Sequence, residues 1–77
     1  MSSEVKNFIF DVYSLMESYF NKIELVMQYK KKDKMLSFSF INDYGDTDSI
    51  YINTNQINED NYVQLLRDIE EKLDRLI

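Results

Sequence analysis

The segment "KIELVMQYKKKDKMLSFSFIN", residues 22–42, decides the fold, because its apolar residues recur at every second position. In its first half Ile23, Leu25, Met27 and Tyr29 alternate with Lys22, Glu24, Gln28 and Lys30. In its second half Leu36, Phe38 and Phe40 alternate with Ser37 and Ser39. Successive side chains of a strand point to opposite faces, so this period describes two strands with one apolar face. The polar "KKKD" between them reads as a turn, which makes the pair an antiparallel hairpin. Beyond it, "NDYGD" (42–46) is a second turn, with Gly45 free to take a positive φ. "DSIYINT" (48–54) supplies a third strand, with Ile50 and Ile52 inward and Tyr51 and Asn53 outward. Short connections predict a meander.

On either side the period is helical. Upstream, Val5, Phe8, Ile9, Val12, Met16, Tyr19, Phe20 and Ile23 recur at spacings of three and four, which predicts an amphipathic helix over about 3–21. Ser2 or Ser3 is the expected N-cap, and Glu4 suits the first turn. Downstream, Asn58 is the expected N-cap, with Glu59 and Asp60 at the positive end of the helix. Ile57 and Tyr62 stand at the positions of a hydrophobic staple. Tyr62, Leu65, Leu66, Ile69, Leu73 and Leu76 form one apolar face, which predicts a helix over about 59–76. The expected fold is α+β, in the order α-β-β-β-α. A three-stranded antiparallel meander is covered on one face by two helices, as one domain spanning residues 1–77. No repeat, linker or low-complexity stretch interrupts it. In so short a chain, burial and conformational ordering nearly cancel, so modest stability or a stabilising dimer is expected.

Composition narrows the function. The 77 residues include no cysteine and no histidine. A Ser-His or Cys-His nucleophilic pair cannot be assembled, and a metal site would need carboxylates alone. The chain leaves little room for a catalytic cleft. No catalytic residue, metal or cofactor is therefore expected, and the protein is read as not an enzyme. No apolar run approaches the roughly 18–20 residues of a membrane span. The opening "MSSEVKNFIF" lacks a signal-peptide core, so a soluble, cytoplasmic protein is expected. Asn, Lys, Ile and Tyr make up 28 of the 77 residues, a bias that AT-rich codons produce in low-GC bacteria and their phages.

Charge is the remaining signal. The chain carries a formal net charge of −5, and from Met35 to Leu66 it has no basic residue. Asp43, Asp46 and Asp48 fall in that run, around "DYGDTD". They do not make an EF-hand, because Ile50 and Tyr51 occupy the fifth and sixth positions counted from Asp46. Asp, Asn and Gly also simply make a good turn. A meander sets this hairpin at the opposite end of the sheet from "KKKDK". Glu59 and Asp60 are then expected to face Lys30–Lys34, leaving the hairpin trio without a counter-charge. Glu70, Glu71 and Asp74 return to the trio's end, while Arg67–Glu71, Asp68–Lys72 and Glu71–Arg75 sit at pairing distance along the helix. The lysines read as a solvated hairpin tip. Phe10 lies off the apolar stripe, beside Lys6, Tyr13 and Glu17, and the cluster Phe10, Tyr13 and Glu17 reads as a partner or dimer interface. Val26, Met35, Ile41 and Tyr51 form a weaker patch on the outer sheet face, and the third strand is a candidate open edge.

The element order is similar to that of the double-stranded RNA-binding domain. That family has a basic turn at the start of its second helix and a Gly-Pro loop between its first two strands. Here the corresponding places hold Glu59 and Asp60 and "KKKD", so the likeness is one of outline and no direct nucleic-acid binding is expected. In size, acidity and architecture the chain more closely resembles small phage-encoded host-takeover inhibitors of the DNA-mimic type, among them Bacillus-phage inhibitors of the nucleoid protein HU. The resemblance implies a basic nucleic-acid-binding host protein as partner, in the bacterial cytoplasm, with carboxylates taking the place of phosphates. On that expectation Asp43, Asp46, Asp48, Glu70, Glu71 and Asp74 meet the partner. The alternative is an adaptor or immunity-type interaction module acting through a homodimer or the helix 1 surface.

Overall fold

A computed structural model describes residues 3–19 and 21–77 of the chain. Helix α1 covers Ser3–Glu17, strands β1, β2 and β3 cover Ile23–Lys30, Met35–Asn42 and Thr47–Asn53, and helix α2 covers Tyr62–Leu76. A short 3-10 turn, Thr54–Gln56, links β3 to α2. The strands form one antiparallel sheet in the order β1-β2-β3, so β2 is central and both other strands are edges. The order α-β-β-β-α and the open three-stranded sheet are those the sequence predicts.

The register carries the predicted alternation across the sheet. Tyr29, Leu36 and Ile52 align in one row, and Met27, Phe38 and Ile50 in the next. These rows face the helices. Leu36, Phe38 and Phe40 of β2 are buried, together with Val5, Phe8, Val12 and Met16 of α1 and Ile69 and Leu73 of α2. The Phe8 ring packs 6.2 Å from that of Phe38 and meets the Tyr62 ring edge-on at 5.5 Å. The opposite sheet face is uncovered, with Val26 and Tyr51 exposed.

Both turns need left-handed backbone. Gly45 takes φ +84°, as its lack of a Cβ allows, but Lys34 takes φ +52° without that relief. The Lys34 carbonyl accepts from the Thr54 N–H at 2.8 Å and from the Thr54 hydroxyl at 3.1 Å. This fixes the exit of β3 against the lysine turn.

The helix ends differ from expectation. α1 stops at Glu17 rather than near 21. The N–H groups of Ser18 and Tyr19 bond to Leu15 and Met16, three residues back, and both the Lys22 and Ile23 N–H groups bond to the Tyr19 carbonyl. This tightening turns the chain in time for Ile23 to open β1. Of the predicted N-cap pair, Ser3 begins the described helix and Ser2 lies outside the described residues, as does Phe20 of the predicted stripe.

α2 begins at Tyr62, not Glu59, with Asn61 at its cap position. The Asn58 side-chain oxygen accepts from the N–H groups of Asp60 (2.9 Å) and Asn61 (3.2 Å). Asn58 thus caps a separate turn, and Glu59 and Asp60 lie in it, outside the helix. Ile57 is buried and Tyr62 packs on the core, as the staple predicts, but Tyr62 is the first helical residue rather than the fourth.

Two phenols bridge the helices. The Tyr62 hydroxyl donates to Asp11, and the Tyr19 hydroxyl, just past the end of α1, donates to Asp74 near the end of α2. These contacts join the start of α2 to the middle of α1 and the end of α2 to the residues just past α1, so the helices run in the same direction.

Replacement of Phe38 by alanine removes a fully buried ring from the central strand, at a cost of about 3–5 kcal/mol. Most of a small domain's stability is of that size, so urea denaturation followed by circular dichroism will find Phe38→Ala largely unfolded. A second outcome concerns alkali. The bond to Asp74, then burial, pushes the Tyr19 phenol from 10.0 up to about 12, and burial, then the bond to Asp11, does the same for Tyr62. Their stabilisation is complete below pH 10.0 and is lost as pH rises through about 12. Thermal melts between those limits will show a falling Tm, and a shallower fall in Tyr19→Phe and Tyr62→Phe.

Candidate functional site

The acidic hairpin is organised by Asn42, the last residue of β2. Its side-chain oxygen accepts from the N–H groups of Tyr44 (3.0 Å) and Asp46 (2.9 Å), and its carbonyl accepts from the Gly45 N–H at 3.0 Å. An asparagine bonded to the backbone two residues ahead is a ready-made turn former. Its amide nitrogen donates to the Leu76 carbonyl at 2.7 Å, one of the carbonyls that a helix end leaves without an internal partner. The tip of the hairpin is therefore tied to the end of α2. Asp43 and Asp46 are exposed, and Tyr44 between them is 91% exposed.

The same end of the molecule receives much more. β1 starts there, β2 ends there, and both helices point their C-terminal ends to it. Each helix terminus adds roughly half a negative charge from its aligned peptide dipoles. This half of the structure holds eight carboxylates, those of Glu17, Glu24, Asp43, Asp46, Asp48, Glu70, Glu71 and Asp74. It holds three cations, Lys22, Lys72 and Arg75. The difference is the whole chain's net charge of −5. The other half, with the lysine hairpin, has six acids and six bases and is neutral overall. The protein has an acidic pole.

The poles are separated by the length of an eight-residue strand, about 26 Å at 3.3 Å per residue. Screening in physiological salt acts over about 8 Å, so a partner meeting the acidic pole does not sense the other.

The structure corrects the expectation that the three hairpin aspartates lack a counter-charge. Asp48 stands opposite Phe40 on the helix-facing side of the sheet, and the Lys72 ammonium reaches it at 3.1 Å while also donating to the Ser49 carbonyl at 3.0 Å. The bond from Lys72, with further help from the Ser49 N–H and the Arg75 charge, holds the Asp48 carboxyl below its ordinary 3.8. The sequence carries a signal for this pair. Asp48 shares the inward parity of Ile50, and Lys72 falls between Ile69 and Leu73 beside the apolar face. Asp43 shares a shallow cleft with Lys22, Tyr44 and Leu76, and Asp46 receives a long 3.5 Å contact from the Asn42 amide.

Among the described residues Lys72–Asp48 is the ion pair that forms. The helix pairs Arg67–Glu71, Asp68–Lys72 and Glu71–Arg75 do not close, since Lys72 is drawn to β3 and Asp68 instead accepts from Gln64 at 2.9 Å. Glu59 and Asp60 do not pair with Lys30–Lys34 either. All of those side chains are exposed. Glu70, Glu71 and Asp74 lie at the acidic pole as predicted, and Asp74 holds the Tyr19 hydroxyl.

Phe10, Tyr13 and Glu17 share the exposed side of α1, Phe10 at 69% and Tyr13 at 49% exposure. They lie on the flank above β1, not at the tip of the hairpin. A mainly apolar groove of about 410 Å³ runs beneath Tyr13, lined by Met16, Ile23, Glu24, Leu25 and Met27. Among the described residues no three carboxylates converge as a metal site would require, and no helix is long and apolar enough to cross a membrane. What the pole offers chemically is concentrated negative charge, with the hairpin backbone beneath it fixed by the Asn42 bonds.

Replacing Lys72 by methionine leaves Asp48 unpaired beside the core. Both side chains are about a third exposed, so the loss at neutral pH is at most about 1 kcal/mol. The pair's stabilisation is present above the ordinary Asp48 value of 3.8 and is lost as pH falls through the lowered folded value. Urea midpoints of wild type and Lys72→Met will differ at neutral pH and converge in acid, once the pH has fallen below the lowered folded value and the carboxyl is protonated.

No protein-family model, no curated protein and no solved structure matches this chain, and its functional reading rests on the geometry of the acidic pole.

Proposed function

We propose that this protein is a non-enzymatic antagonist that sets its acidic pole on the basic, nucleic-acid-binding surface of a host protein, such as the bacterial nucleoid protein HU, and excludes DNA from it. The observation that carries the reading is the confinement of the entire net charge to one end of the fold. A DNA-binding surface is lined with Lys and Arg spaced to neutralise phosphates, which recur at one charge per roughly 1.7 Å of duplex. An array of carboxylates competes for those cations by the same Coulombic attraction. The Asn42 network and its tie to Leu76 support this by fixing the hairpin in advance, so little ordering entropy opposes docking. Asp43 and Asp46, with Glu70, Glu71 and Asp74, do the mimicry. Asp48, neutralised by Lys72, holds the hairpin to α2 instead.

Electrophoretic retardation of duplex DNA by HU, titrated with this protein, tests the proposal. The protein releases the DNA, and its affinity for HU falls steeply as salt rises. The double variant Asp43→Asn with Asp46→Asn weakens the competition by about tenfold, equivalent to about 1.4 kcal/mol. Neutralising Glu59 and Asp60 at the other end leaves it unchanged. Displacement that is indifferent to salt and to the hairpin substitutions would sink the mimicry. The exposure of Phe10 and Tyr13 favours a second reading, an interaction module acting through α1. In that case Phe10→Ala abolishes partner capture and the hairpin variant does not.

A further inference from the structure

We infer that the flank formed by α1 and the β1 edge is the interface of a twofold dimer, its partner being a second copy of this chain. The inference is independent of the acidic-pole reading. On α1 the exposed side chains Lys6, Phe10, Tyr13 and Glu17 follow one another at spacings of four, three and four. That spacing makes a single straight seam on a helix. The seam is complementary to itself when reversed. Laid antiparallel on a second copy, Lys6 meets Glu17 and Phe10 meets Tyr13, each contact occurring twice.

The same rotation suits β1, which is an open edge. Antiparallel pairing of β1 with its copy about Met27 sets Glu24 opposite Lys30 on the outer face and Leu25 opposite Tyr29 on the inner face. Side-chain parity is preserved, so the apolar faces of the two sheets join. Opposite charges directly across a strand pair are favourable. β3, the other edge, has no cation between Thr47 and Asn53 and gains no such pairs.

The β1 flank is also where apolar surface is left over. Leu25, Met27 and Tyr29 are half-buried, whereas Leu36, Phe38 and Phe40 beside them are fully covered. The 410 Å³ groove runs between Tyr13 and Met16 of α1 and Leu25 and Met27 of β1, so both elements of the flank border one feature. The placement of charge suits the same arrangement, because it avoids setting one acidic pole against the other. An antiparallel copy sets each acidic pole beside the other's lysine hairpin and holds the two poles apart.

Sedimentation equilibrium of the full chain is the test. The wild type is expected at twice the 9.3 kDa chain mass, and Phe10→Asp at the monomer mass with unchanged circular dichroism. Lys6→Glu and Glu17→Lys each weaken association by about tenfold or more, and the two together restore it. Because the chain has no cysteine, Glu24→Cys combined with Lys30→Cys is expected to oxidise to a covalent dimer, an outcome that does not depend on the α1 variants. A wild type that stays monomeric at every concentration overturns the inference. So does a dimer that ignores Phe10→Asp, shows no rescue by the charge swap and forms no disulfide.

Discussion

Everything in this structure depends on the inward face of β2. Leu36, Phe38 and Phe40 come from the one strand that has neighbours on both sides, and all are closed to solvent by side chains of both helices. Phe8 joins the three layers, its ring meeting Tyr62 of α2 edge-on and packing at a tilt against Phe38. A domain of this size has no second core on which to fall back. The two helices are therefore held where this strip of three side chains requires them, and the positions of the charged ends follow.

Polarity is a consequence of topology. A meander returns β3 to the lysine turn, so α2 must start there and travel back along the sheet. α1 travels the same way, because it has to deliver the chain to the start of β1. Two parallel helices thus aim both negative termini at the hairpin that already carries Asp43 and Asp46. The Asn42–Leu76 and Tyr19–Asp74 bonds lock this convergence. Lys72 removes one carboxylate from the array by drawing Asp48 against the sheet. Glu17 and Glu24 belong both to the acidic pole and to the α1–β1 flank, whereas Asp43, Asp46, Glu70, Glu71 and Asp74 belong to the pole alone.

The alternation in 22–42 and the three-and-four spacing on either side made the fold legible, because burial on one face dictates which positions are apolar. Element ends were less legible. Asn58 has the chemistry of a helix cap, but it spends it on a separate turn, and Asn61 takes the cap position. The predicted end of α1 overran because Tyr19 keeps the helical spacing while its backbone has already turned toward β1. Within the candidate site, Asp43 and Asp46 were readable as exposed turn residues. Asp48 reads as a third free turn acid from its nearness to the turn, yet its inward parity sets it against Lys72.

The sequence by itself determined the order of elements, the composition of the core and the size of the negative charge. Those properties follow from side-chain pattern and count, which are local or additive. Only the tertiary structure decided which acids stand free and which are paired. Lys72 and Asp48 are 24 residues apart and meet only because α2 packs over β3. Asn42 and Leu76 are 34 apart and meet only because α2 ends at the hairpin. Charge is written in the chain, but its placement at one pole is a property of the packed helices, since Coulombic partners are set by distance in space.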